Sequence, residues 1–378
     1  MKIIFAIIIP LLFASTVFAQ FEEFVPLHDS LEYYKNYDYG DIEFYASNLA
    51  WKDYYTIEEA AEDIAGKYEL PHEKAYAIYV WLTSHVEYDC KSHKKLRADL
   101  ATSTKRKKSS GPRSKLSKGT SYKDRSDSRQ ANARQVLEKR RGNYEDLAGA
   151  YASFCIAQGV DCRVIGGIYK GSERYIGRKQ KGNYKWNAVK FGMDWYLIDV
   201  TKGLVIDDKP NDKQNRGMYH LFAHKVDDLC KDVDVLEERL DQFYLIDPRE
   251  MLFSCIPGNR DWQLLVRSYA VDSFYKQPLI RRGFYQYGFN EIYPKNGLLK
   301  LKEDESVTFR FKQKADFADV KPKVFNVYKN TKMLAEKEPI TKEGDEYVYT
   351  IKAEERGQYY LKLSMDSLPI ATYKVIVK

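Results

Sequence analysis

Histidine, cysteine and long apolar runs are all scarce in this 378-residue chain, and each scarcity removes a class of function. Six histidines are present: His28, His72, His85, His93, His220 and His224. The span between His93 and His220 therefore holds no imidazole, and a general base inside it must be another residue type. Five cysteines, Cys90, Cys155, Cys162, Cys230 and Cys255, are too few for a disulfide-rich scaffold. Their odd number leaves at least one thiol unpaired within the chain. Cys155 and Cys162 read as buried free thiols; if one pair forms, Cys230 with Cys255 is favoured. His220 and His224 stand four apart, on one face of a helix, but no adjacent Glu or third ligand at useful spacing accompanies them. They read as surface histidines, and no metal or cofactor is expected.

An apolar run occurs once, from Ile3 to Phe18, behind Met1-Lys2 and ending Val17-Phe18-Ala19 before Gln20. That pattern predicts a secretory signal peptide cut after Ala19 and a periplasmic or secreted product. The run is too short for a transmembrane segment, none is expected elsewhere, and no Cys follows the cut to carry a lipid anchor.

What the chain does hold is charge and tyrosine. The net charge of +7 is local: residues 91–134 carry 15 Lys and Arg against three Asp, which leaves −5 for the remainder. The Lys/Ser-rich stretch 96–134, centred on Lys105-Arg106-Lys107-Lys108, has almost no large apolar side chains to offset ordering entropy, so a disordered insertion is expected there. An electrostatic arm for an anionic surface is its functional reading; nucleic acid is not an expected partner of an exported chain. The 31 tyrosines suit aromatic-packed, sheet-rich structure and binding surfaces.

Around the insertion the periodicity is clear. Thr56-Ile57-Glu58-Glu59 is a capping-box pattern ahead of Ala60, Ala61, Ile64, Ala65 and Tyr68. A core helix is expected from Glu73 to His85. Asn143 is a good N-cap, with Glu145 and Asp146 in the first turn and Leu147, Tyr151, Phe154 and Cys155 on one face. Strands are expected at Cys162–Tyr169, Tyr184–Phe191 and Trp195–Val200, then a series of short strands from about Gly297.

Two stretches carry chemistry: Arg141-Gly142-Asn143-Tyr144-Glu145-Asp146-Leu147-Ala148, and Tyr184-Lys185-Trp186-Asn187-Ala188-Val189 leading to Trp195-Tyr196-Leu197-Ile198-Asp199-Val200-Thr201. Together they resemble the two halves of a transglutaminase-like (papain-like thiol) active site. The family pattern is Gly-x-Cys-x-Asp-x-Ala at a helix start, His-x-Trp at a strand start and Trp-x-x-x-Asp on the next strand. Tyr244–Glu250 and Asp261–Leu265 resemble the kyphoscoliosis-peptidase-like branch. The resemblance implies an α+β fold: a helix packed on an antiparallel sheet, formed by residues 20–95 and 135–292, with an immunoglobulin-like β-sandwich at 296–378.

It also implies a degenerate triad. Tyr144 stands where the family has its nucleophile, Tyr184 where it has its base, and Asp199 alone matches. A phenol with a pKa of about 10 replaces neither thiolate nor imidazole near pH 7. The leading expectation is thus an exported, catalytically inactive pseudoenzyme whose groove, lined by Asn143, Tyr144, Tyr184, Trp186 and Asp199, binds peptide, cell-wall or glycan ligands. Two alternatives stay open. One is an active thiol protease or amide-transferring enzyme with a displaced nucleophile, Cys162 or Cys90, served by a distant His85 or His93. The other is a secreted adhesion or scaffold protein acting through its basic arm.

Overall fold

The structure, a computed structural model, describes residues 30–96, 122–204 and 243–378, apart from positions 55, 94, 331, 340 and 367. The leader, most of the basic stretch, His220, His224 and Cys230 lie outside the described residues. No helix among the described residues is long and apolar enough to cross a membrane.

Four helices lead in: α1 (Leu31–Lys35), α2 (Gly40–Asn48), α3 (Ile57–Ala65) and α4 (Pro71–His85). The capping box at Thr56 forms in both directions, with Glu59 N–H on Thr56 Oγ1 at 3.0 Å and Thr56 N–H on Glu59 Oε2 at 3.1 Å. Helix α4 begins two residues before the expected Glu73 because Pro71, already held near helical φ, occupies its first turn. Its apolar residues are buried on several faces, and Trp81 stacks on Trp51 with ring centroids 4.6 Å apart.

Residues 122–134 depart from the expected disorder. They belong to α5 (Tyr122–Lys139), which packs along α6 (Tyr144–Ala157). A helix needs only a narrow apolar stripe when a neighbour supplies the packing. Ala133 and Val136 provide the stripe, and Asn132 Nδ2 donates to Glu145 O at 2.9 Å. Gly149 permits the close approach, since a Cβ there would lie 2.8 Å from Asn132 Cβ.

Helix α6 lies across one face of an antiparallel sheet ordered β5-β4-β3-β6. Its strands are β3 (Cys162–Tyr169), β4 (Tyr184–Phe191), β5 (Asp194–Ile198) and β6 (Cys255–Pro257). Alternation along β4 sends Val189 and Phe191 into the helical core and Tyr184, Trp186 and Ala188 to the opposite face. Phe243, Ile246, Met251 and Leu264 cover that second face. The helix is therefore buried almost all round, from Asp146 to Cys155, rather than on the single expected face.

The C-terminal region is a β-sandwich of a four-stranded sheet (β13-β14-β10-β8) and a six-stranded one (β12-β11-β15-β16-β7, with β9 beside β16). One core, including Phe309, Phe311, Phe325, Val327, Leu361 and Leu363, lies between them. It starts upstream of the expected 296: β7 (Leu279–Ile280) and β8 (Phe289–Tyr293) already belong to its sheets. The others are β9 (Leu298–Leu301), β10 (Ser306–Gln313), β11 (Val324–Lys329), β12 (Lys332–Pro339), β13 (Thr341–Glu343), β14 (Glu346–Lys352), β15 (Gly357–Met365) and β16 (Leu368–Val377).

A buried lysine anchors the segment that follows the first sheet. Lys170, just after β3, donates to Phe274 O at 2.5 Å and Gln277 O at 3.0 Å, at the C-terminal end of the helix Val271–Lys276. It has no carboxylate partner among the described residues, and burial pulls its pKa down to about 7.

Two predictions follow from this packing. A Cβ on Gly167 would lie 2.3 Å from Ile256 O and 2.4 Å from the Trp186 ring. Gly167→Ala should therefore lower unfolding stability by about 1–3 kcal/mol in urea titrations. Lys170 holds its proton to about pH 10 unfolded but only to about 7 folded, so the unfolded state binds more protons in that window. Stability contributed by this group rises with pH by up to about 1.4 kcal/mol per unit, and Lys170→Met should flatten the slope relative to the parent.

Candidate functional site

The start of α6 is built from three local devices. Asn143 Oδ1 accepts Glu145 N–H at 2.7 Å and Asp146 N–H at 3.3 Å, while Asn143 N–H donates to Asp146 Oδ2 at 3.0 Å. A short parallel pair, β1 (Glu87–Tyr88) with β2 (Arg141–Gly142), brings the helical turn at residues 90–93 against this helix start. Asn143 Nδ2 then donates to Ser92 Oγ at 2.8 Å. All of this positions Tyr144 as the first residue of α6, pointing at the sheet.

Tyr144 is 2% exposed, and its ring lies 5.2 Å from that of Tyr184 at 47°. Tyr184 opens β4, and its hydroxyl donates to Asp199 at 2.8 Å to Oδ1 and 3.1 Å to Oδ2. A phenol and a carboxylate, two of the three residues singled out from the sequence, are thus in direct contact. Burial, with the Asp199 charge adding to it, pushes the Tyr184 hydroxyl well above its ordinary pKa. Asp199 does not sit on the strand as expected. Strand β5 ends at Ile198, and Asp199 caps a helical turn, α7 (Val200–Gly203), by accepting Lys202 N–H at 3.1 Å. Fully buried, its carboxyl has a raised pKa, with Lys202 and Tyr184 pulling the other way.

Among the described residues, Asn143, Tyr144, Tyr184, Trp186 and Asp199 are all buried rather than lining an open surface; Asp199 N–H donates to Phe243 O at 2.9 Å and Ile246 N–H to Leu197 O at 2.8 Å. Trp186 packs under Gly167 and lies 6.4 Å from Tyr184; its Nε1 has no hydrogen-bond partner among the described residues.

Four residues join this cluster that sequence reasoning passed over or set aside. His93 stacks edge-on against Tyr144 at 5.5 Å, and its Nδ1 shares a 2.7 Å hydrogen bond with Tyr88. An imidazole therefore does reach Tyr144, from the preceding turn rather than from β4. Lys202 is the buried cation beside Asp199: its Nζ lies 3.7 Å from Oδ2, 2.5 Å from Ser254 Oγ and 3.4 Å from Cys255 Sγ. The rings of Tyr169, Phe243 and Tyr184 surround it at 5.2, 5.5 and 6.0 Å. Burial opposes the Lys202 charge, but Cys255 and Asp199 hold its pKa above the ordinary lysine value. The i, i+3 spacing of Asp199 and Lys202 in Asp-Val-Thr-Lys was the available sequence signal; Ser254 and Cys255, more than fifty residues on, left none.

The thiols offer little chemistry. Cys155, Cys162 and Cys255 carry buried free thiols, and Cys230, the favoured partner of Cys255, lies outside the described residues. Burial pushes the Cys255 thiol up to about 11 in spite of Lys202, and pushes Cys155 well above its ordinary value. None of Cys155, Cys162 and Cys255 touches a histidine among the described residues. Next to Lys202 and Ser254 lies a cavity with about 10 Å³ of space for the centre of a water molecule, lined also by Glu250 and Tyr285. That is room for roughly one water, not for a substrate.

Comparison with known proteins places this geometry. Residues 113–200 match the Transglutaminase-like superfamily. Human kyphoscoliosis peptidase is 22% identical over 261 residues, 68% of this chain and 32% of its own length. Hillarin of Drosophila melanogaster is 26% identical over 264 residues, 67% of this chain and 26% of its own. Mouse kyphoscoliosis peptidase is 21% identical over 246 residues. The chain thus spans about a third or less of the curated relatives it matches. A solved chain from Cytophaga hutchinsonii aligns with 48% of this chain at 19% identity and a TM-score of 0.24.

The buried balance at Asp199 sets the prediction here. Lys202→Met leaves the carboxylate without its cation and should cost about 3–5 kcal/mol of stability. Tyr184→Phe removes one neutral donor and should cost about 1–3 kcal/mol. Equilibrium urea unfolding of both variants tests the order as well as the size.

Proposed function

We propose, from the premise that this chain carries a transglutaminase-like domain, that it is a catalytically silent, exported binding protein. One observation carries the reading: the Tyr184 hydroxyl occupies the Asp199 carboxylate while the Tyr144 ring packs against Tyr184. Thiol catalysis of this kind needs a thiolate at a helix start and an imidazole opposite to take up and return a proton. Here a phenol stands at each place, and the raised pKa of Tyr184 keeps it protonated at neutral pH. What remains is a scaffold, with Asp199 and Lys202 as an internal ion pair in place of an acid that orients a base.

Because the old groove is filled, binding falls to surfaces outside it. Peptide, cell-wall polymer and glycan are the ligand classes in view. Two of the relatives are peptidases by name, and that activity is a property of those proteins. The competing reading, a displaced thiol, is best served by Cys255, which lies beside Lys202 next to Asp199. Its burial and its elevated pKa argue against it. The same burial weighs against Cys162.

The test is a paired one. The parent protein should show no hydrolysis or transamidation of activated ester and glutamine-amide substrates beyond buffer. The double variant Tyr144→Cys/Tyr184→His should gain a thiol that iodoacetamide alkylates readily near neutral pH, because it restores the helix-start thiol and the imidazole beside Asp199. Turnover by the parent that disappears in Cys255→Ala or Cys162→Ala would sink the proposal.

A further inference from the structure

The outward face of the six-stranded sheet interleaves aromatic and cationic side chains. Along β15, Leu361 and Leu363 point into the sandwich core, so Tyr360 and Lys362 point away from it. The strand register sets Tyr328 of β11 opposite Lys362, and Lys374 of β16 opposite Tyr360. All four are part-exposed. The result is a diagonal of two tyrosines and two lysines across three adjacent strands.

The loop between β3 and β4 lies at the edge of this face. Glu173 Oε2 reaches Lys362 Nζ at 3.4 Å and Arg281 Nη2 at 3.5 Å. Two exposed arginines follow that anchor along the loop. Arg174 lies 4.7 Å over the Tyr175 ring and donates to its hydroxyl at 2.8 Å, while Arg178 is close enough to act on Tyr360 electrostatically. Glu173 is thus shared between two cations already. Arg174, Arg178 and Lys374 have no carboxylate partner among the described residues. A surface of this kind holds a positive potential that only an external anion satisfies.

We propose that this face binds an acidic polysaccharide, with the Tyr328 and Tyr360 rings packed on sugar rings and Lys374, Arg174 and Arg178 paired with carboxylates along the polymer. The surface lies outside the cleft, so the inference stands whether or not the cleft is silent. Sugar faces suit flat, part-exposed tyrosines that keep a polar tip toward water. A nucleic-acid duplex is read by an element projecting into a groove, which a sheet face does not supply. Arg174 also covers one face of Tyr175, which leaves that ring poorly placed for base stacking. The leader expected at Met1–Ala19 would carry the chain to a compartment where acidic glycans are the polyanions met.

The experiment is affinity electrophoresis of the full chain in gels containing polygalacturonate, neutral dextran or an oligothymidylate. Retardation by polygalacturonate alone, weakening as salt rises, is the expected result. Arg178→Glu/Lys374→Glu should reduce that affinity roughly tenfold. Tyr360→Ala should weaken it while leaving its salt dependence unchanged. Melting temperatures matching the parent show that these variants fold. A chain lacking residues 97–121 should keep the binding. Equal retardation by dextran, stronger retardation by the oligothymidylate, or no retardation at all overturns the proposal. So does loss in the deletion chain with no effect of the sheet variants.

Discussion

A carboxylate with no solvent exposure must be balanced where it sits, and Asp199 is balanced by three groups from two elements. The Tyr184 hydroxyl comes from β4; the Lys202 backbone N–H and ammonium come from α7, which Asp199 itself caps. Removing water raises the cost of the bare charge, so these partners are needed for the sheet end to close at all. Lys202 in turn needs an acceptor shell, and Ser254, Cys255 and three aromatic rings provide it. The end of β5, the start of β4 and the start of β6 are thereby fastened to one another through a single buried ion pair.

That constraint explains why the site is closed. The phenol rings of Tyr144 and Tyr184 bury apolar area, on a helix whose remaining faces are already covered by α3, α4, α5 and the sheet. His93 shows the same logic: its imidazole is buried, held by Tyr88 and used as a ring against Tyr144.

Tyrosine does different work in the two halves of the molecule. Around Asp199 the rings of Tyr144 and Tyr184 are core, with Tyr169 packed against them, and the Tyr184 hydroxyl serves a buried acceptor. On the sandwich, Tyr328 and Tyr360 lie on the outer face between lysines, where ring and hydroxyl are both available to a partner. Composition alone cannot separate these uses, because the same residue serves both and only burial distinguishes them.

Much of the architecture was legible from local signals. The Thr56 and Asn143 caps, the α6 core pattern, the alternation in β3 and β4 and most sandwich strands are short-range features whose physics is complete within a few residues. The places of Tyr144 and Tyr184, at a helix start and a strand start, were legible for the same reason. The sequence misled where a neighbour decides: residues 122–134 are helical because Gly149 and Ala133 let two helices approach, and β7 and β8 join the sandwich through pairing partners far along the chain. That Asn143 and Tyr144 open a helix and Tyr184 opens a strand was determined by sequence alone. Whether those positions form a groove or a plug, and that Lys202 and Cys255 meet there, was decided by tertiary structure, because burial and long-range contact are properties of the packed chain and not of any segment of it.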